Sequence, residues 1–261
     1  LADKEKHIEL FEKVLHDLKD FLPYLVLVGG WVPFLYSQYV WKIRHKPVAT
    51  VDIDFGFQDI PYKGKITIAS RIRQQNYGEH HFDMGRLYPF VPIAQLGKSN
   101  IKADVEFITS PETSKEIKEK LVGKEIKINT IEDFEILLQS PTSIKVRGLP
   151  VQVPNAAVFT LHKFLTFAVR EKTEKRLKDL YYAYFMLFFS PEKEKLTADI
   201  SQLMRELKQG KRVRDNIEKY FEDPNDRGPA WIDEITEGSV IQTLVDDVRQ
   251  DSFERIANLI R

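Results

Sequence analysis

Two short stretches constrain this chain more than any other feature. Val51-Asp52-Ile53-Asp54-Phe55-Gly56-Phe57 and Ile101-Lys102-Ala103-Asp104-Val105-Glu106-Phe107 each alternate, residue by residue, between apolar and non-apolar positions. Successive side chains of a strand point to opposite faces, so each stretch predicts a strand with one apolar face and one face bearing carboxylates. Asp52 then shares a face with Asp54, and Asp104 with Glu106. Carboxylates gathered this way repel one another unless cations join them, and hard oxygen donors suit Mg²⁺ or Mn²⁺. Two such ions, about 3.5–4 Å apart, would stabilise the attacking and leaving oxygens of an in-line phosphoryl-type displacement.

A third element belongs with these two. Leu25-Val26-Leu27-Val28 reads as a short buried strand closed by Gly29-Gly30, and Trp31 to Trp41 has the length and apolar character of a buried helix. A glycine pair after a strand lets the backbone turn sharply and approach a ligand, while the helix that follows offers free N–H groups to a phosphate. Strand, glycine turn, helix and carboxylate strands together point to nucleotidyl transfer rather than to hydrolysis of a small ester.

Composition narrows the alternatives. The 261 residues suffice for one large domain or two small ones, and the absence of cysteine excludes disulfides, thiolate metal sites and Cys nucleophiles. With 30% charged and 43% hydrophobic residues the chain reads as globular. The longest apolar stretch, Phe21 to Trp41, is interrupted by Pro23, Gly29, Gly30 and Pro33, so no membrane span is expected. The first twenty residues lack the apolar centre of a secretory signal, which makes a cytoplasmic location the expectation.

Along the chain, Ile8, Phe11, Val14, Leu15 and Leu18 recur at helical spacing, Ile66 to Gln75 reads as a helix, and His80 to Val91 as one or two short strands. From Pro154 onward the pattern is helical: Ala156 to Val169, Glu174 to Phe189, Lys195 to Lys208, Arg212 to Phe221 and Gly238 to Ile260. The expected architecture is α+β, with a domain over residues 1–152, a helical domain over 153–261, and Leu149 to Pro154 as the joint. The aromatic run from Tyr181 to Phe189 reads as helix-packing core, and Arg44 and Lys46 as a solvated loop. His80, His81 and Asp83 make a poor metal site, because adjacent strand residues face opposite ways.

Leu27-Val28-Gly29-Gly30-Trp31 with Val51-Asp52-Ile53-Asp54-Phe55 resembles the signature of the DNA polymerase β-like nucleotidyltransferase superfamily. Within it the chain is most similar to the AbiEii/MenA-type group of abortive-infection and toxin–antitoxin systems. Thr50 stands two residues before the first aspartate, and His162-Lys163-Phe164-Leu165 with Arg176-Leu177-Lys178-Asp179 fits that group's late helical motif. The resemblance implies the nucleotidyltransferase fold, a small mixed sheet flanked by helices, with a C-terminal helical domain completing the nucleotide cleft. It implies metal ligation by Asp52, Asp54 and a third carboxylate, Asp104 or Glu106, with family position favouring Asp104. It further implies that Gly29, Gly30, Thr50, Lys163 and Asp179 bind the nucleoside triphosphate. The implied acceptor is a tRNA, with an antitoxin protein as partner. An antibiotic- or protein-modifying transferase and a catalytically silent nucleotide-binding protein are the alternatives.

The zero net charge is a cancellation between regions. Lys163 to Lys178 holds six bases against two acids, and Glu222 to Asp251 nine acids against two bases, so the second segment is expected to screen the first.

Overall fold

The computed structural model describes residues 2–47, 50–81 and 89–261. The chain divides into two compact units, one made of residues 1–32 and 49–154, the other of residues 33–48 and 155–261. The sequence-based cut at 152/153 is therefore met by a division after Pro154 and by a second excursion, residues 33–48, that joins the helical unit.

The first unit is built on a mixed sheet. Its strands are β1 (Val26–Val28), β2 (Ile53–Gly56), β3 (Gly78–His80), β4 (Val91–Gln95), β5 (Lys102–Thr109), β6 (Ile128–Thr130), β7 (Thr142–Val146) and β8 (Leu149–Val153). They lie in the order β3-β4-β5-β2-β1-β8-β7, with β6 also pairing β5. β1 runs antiparallel to β2, and β2 parallel to β5. The long β5 serves two neighbours along one edge, β4 through Lys102 to Asp104 and β6 through Phe107 to Thr109.

The alternation in sequence becomes two faces in space. Ile53, Phe55, Val105 and Phe107 are fully buried, whereas Asp54, Asp104 and Glu106 are half-buried on the other face. Helix α1 (Ala2–Asp17) packs on β4 and β5 through an apolar stripe that includes Leu10, Phe11, Val14 and Leu15. Phe11 stacks flat on Trp31, the first residue of α2 (Trp31–Leu35), with ring centroids 4.1 Å apart. Helix α2 continues into a π-helical turn over Tyr36–Val40. Helix α3 (Ile68–Gln74) is capped by Thr67, whose side chain accepts from the Ser70 N–H. Two short helices, α4 (Lys115–Ile117) and α5 (Glu135–Leu138), complete this unit.

Leu149 to Pro154, expected as the joint, is largely strand β8, paired antiparallel to β7 and parallel to β1. Its two prolines suggest a linker, yet Pro150 lies near the strand's start, where losing one N–H leaves the ladder intact, and Val151 and Val153 are buried. Of the stretch from His80 to Val91, the described strands are β3 and β4; Asp83 and Gly85 lie outside the described residues.

The second unit holds α6 (Ala156–Thr166), α7 (Thr173–Phe189), α8 (Lys193–Glu206), α9 (Gly210–Tyr220), α10 (Arg227–Thr236), α11 (Val240–Leu244) and α12 (Val248–Ala257). Helix α6 is buried all round from Ala157 to Thr166 and packs against α7, α8 and α9, as a helix without a polar face must. Asn155 caps it, accepting from the Ala157 N–H at 2.9 Å. Tyr181, Tyr182, Tyr184 and Phe185 are buried core, and Arg44 and Lys46 are exposed, as expected. The predicted helix Gly238 to Ile260 is instead two helices, because Asp247 stops the run and caps α12 through the Gln250 N–H. Helix α10, which the sequence pattern did not announce, packs on α7. Among the described residues no helix is long and apolar enough to cross a membrane.

Candidate nucleotidyl-transfer site

The first unit assembles its carboxylates through strand register. Asp54 pairs with Val28 across β1 and with Glu106 across β5. Continuing the β2/β5 register one step back sets Asp52, just before β2, level with Asp104. Neighbouring strands lie about 4.8 Å apart, so these side chains share one small area of the sheet. Asp52 is exposed and the other three are half-buried.

Gly29 follows β1 with φ +72°, in the left-handed region that favours glycine. A Cβ placed on it would coincide with the Asp54 carboxylate. The glycine is therefore required twice, for the turn and for the close approach of backbone to carboxylate. Gly30 is buried in the same turn, and Thr50 is half-buried two residues before Asp52.

Two contacts around this strip carry no periodic signal in the sequence. The Asn129 side chain on β6 donates to Glu106 Oε2 at 2.8 Å. His80 on β3 brings Nδ1 to 4.0 Å from Asp104 Oδ2, with both side chains partly exposed. Sheet pairing brings each of them in: β6 lies beside the end of β5, and β4 carries β3 alongside its start.

The donor set fits a hard divalent cation, since Asp52, Asp54 and Asp104 offer carboxylate oxygens on one face. Among the described residues no three His, Asp or Glu side chains already converge into a metal-binding group.

The other predicted residues meet in the second unit. Lys163 on α6 donates to Asp179 Oδ1 on α7 at 2.6 Å, with the two side chains 9% and 5% exposed. The Thr166 hydroxyl and Arg170 Nε both donate to Asp179 Oδ2, at 3.0 and 2.8 Å. Burial works against ionising Asp179, but Lys163 and Arg170 outweigh it and hold the carboxyl below its ordinary range. The Lys163 ammonium also lies 5.3 Å from the Phe159 ring centroid and 5.8 Å from that of Tyr182. Arg170 and Thr166 are missing from the sequence reading; one is hidden in a charged turn, the other in an apolar helix. Of the acidic segment, α10 reaches α7 through Trp231, whose ring lies 5.2 Å from the Arg176 guanidinium.

Fold and strip together define a class: an α+β protein whose strand-borne carboxylates flank a glycine turn. A family model described as Nucleotidyltransferase (NTP_transf_8) matches residues 13–205, most of the chain, and the chain belongs to this nucleotidyltransferase family. No curated protein matches it. Among solved structures it is similar to an antigenic nucleotidyltransferase-like protein from Paracoccidioides brasiliensis, with 13% identity and TM-score 0.44 over 79% of this chain and 93% of that one. It is also similar to a protein described as a candidate nucleotidyltransferase from H. pylori, with 14% identity and TM-score 0.41 over 98% of this chain and 90% of that one.

Proposed function

We propose that this protein transfers a nucleoside monophosphate from a nucleoside triphosphate to an acceptor hydroxyl, with Mg²⁺ or Mn²⁺ as cofactor. The observation that carries the reading is the register that sets Asp54 beside Glu106 while the Gly29 backbone packs on the Asp54 carboxylate. Asp52, Asp54 and Asp104 would hold the metal ions. Bound there, the ions would neutralise charge on the triphosphate and the departing pyrophosphate. The Gly29-Gly30 turn is the phosphate-binding element of this proposal. Asp104 accepts the proton of the hydroxyl as its oxygen bonds to the α-phosphorus and the bond to the β-phosphate oxygen breaks. Positioning and charge neutralisation supply most of such catalysis.

The acceptor we propose is tRNA, the chain being an AbiEii/MenA-type toxin with a cognate antitoxin. Thr50, Lys163 and Asp179 support that finer likeness by their match to the group's motifs. The test is incubation with each labelled triphosphate, Mg²⁺ and a cell extract, followed by separation of RNA, protein and small molecules. Label on tRNA that disappears in Asp54→Ala is expected. Label confined to protein or small molecules would remove the tRNA reading, and transfer undiminished in a folded Asp54→Ala would remove the site.

A further inference from the structure

The ion cluster of the second unit is not electrically balanced. Lys163 and Arg170 converge on a single carboxylate, Asp179. Arg176 adds a third cation at the same turn: its Nη2 donates to the Arg170 carbonyl at 2.8 Å and its guanidinium rests on Trp231. The buried Nε of Arg176 has no hydrogen-bond partner among the described residues. The acids nearest in sequence do not restore balance, since Glu171 is exposed and Glu174 is engaged by Lys178 at 2.6 Å. Two cations on one buried anion leave a positive charge in partly desolvated surroundings, with Arg176 a further cation at the adjoining turn, an arrangement that favours an anionic visitor.

The donors that such a visitor would meet belong to Arg170. Lys163 is 9% exposed and committed to Asp179, whereas the Arg170 side chain is 30% exposed. Its Nε is anchored on Asp179, and neither Nη has an acceptor among the described residues. A guanidinium fixed through Nε keeps its terminal N–H groups in a planar fork, the geometry that engages two phosphate oxygens at once. Helix α7 begins three residues later without a side-chain cap, so its first N–H groups lie in the same turn.

We infer that Arg170, braced by Asp179 and Arg176, is a phosphate-binding residue of the turn between α6 and α7. The phosphate is that of a nucleoside triphosphate or of an RNA backbone, two ligand classes that the inference takes from the function proposed above.

The experiment titrates the full chain with each nucleoside triphosphate and, separately, with unfractionated tRNA. It compares wild type, Arg170→Gln, Arg170→Lys and, as a remote cation control, Lys195→Gln. Arg170→Gln should weaken one of the two probes by about tenfold or more, Arg170→Lys should recover only part of it, and Lys195→Gln should change neither. Weakening confined to triphosphate assigns the nucleotide; weakening confined to tRNA, with a salt slope reduced by about one, assigns the RNA backbone. Arg170→Gln binding both probes like wild type would overturn the inference, and so would a lowered melting temperature with unchanged binding. Asp54-dependent label transfer alongside either of those outcomes leaves the proposed function standing. Arg170-dependent binding without any transfer does the reverse.

Discussion

The carboxylate strip of the sheet and the ion cluster of the helical unit gather charge in opposite ways. On the strip, Asp54 and Glu106 stand in register with the same sign, on a face that is only half-buried. In the cluster, Asp179 is enclosed by Lys163, Arg170 and Thr166 and almost sealed from solvent. Water screens the repulsion of the first, so removing a member relieves the fold. Burial leaves the second little screening, so removing a member strands the others. The difference teaches where stability and chemistry part company in this chain: one region is maintained against its own repulsion, the other by its own attraction.

The strongest way to break that comparison is Asp179→Ala, which leaves the Lys163 ammonium buried without its carboxylate. It should cost about 3–5 kcal/mol in denaturant unfolding, and an unchanged midpoint would end the distinction. Acid probes the same carboxylate. Its pKa is depressed in the folded chain, so its stabilisation is complete above the unfolded value of about 3.9 and is lost as pH falls below that toward the folded value. Asp179→Asn should flatten that part of the acid limb in melting curves taken from pH 5 downward.

A smaller effect is expected from Gly29→Ala. The left-handed backbone alone costs about 1–2 kcal/mol with a Cβ, and the added carbon must also displace the Asp54 carboxylate. Lost stability should therefore come together with lost nucleotide transfer; full transfer in this variant would separate the glycine turn from the site. Smallest, and of opposite sign, is Asp54→Asn. Relief of the like-charge pair should raise stability by roughly 0.2–1 kcal/mol while transfer falls, and a clear destabilisation would show that the strip is not strained by its own charge.

Much of the strip was legible because strand periodicity is local. Two alternating heptads are enough to put Asp52 with Asp54 and Asp104 with Glu106, and a glycine pair after an apolar run is enough to end a strand. Register is not local: that Asp54 faces Glu106, and that Asn129 and His80 join them, depends on which strands pair. In the helical unit Lys163 and Asp179 were singled out by resemblance, but their mutual ion pair spans two helices and leaves no periodic trace. Arg170 lay hidden among the solvated charges that follow α6. Strand β8 was concealed by Pro150 within it and Pro154 just after it, and α10 by the glycine and proline at its start.

Residues 33–48 leave the sheet unit just after the glycine turn and return just before Asp52, and in between they pack within the helical unit. There the Ser37 hydroxyl donates to the His45 carbonyl at 2.7 Å, and the His45 ring lies 5.3 Å from that of Phe189. The two units therefore cannot be inherited or exchanged as a simple head-to-tail fusion. A gene fragment ending at residue 154 would encode a sheet unit trailing a loop with nothing to fold onto, and one starting at residue 155 would encode a bundle missing a piece of itself. Recombination that swapped the helical half would have to rewrite the stretch between Gly30 and Asp52 as well, which ties the history of the carboxylate strands to that of the helices.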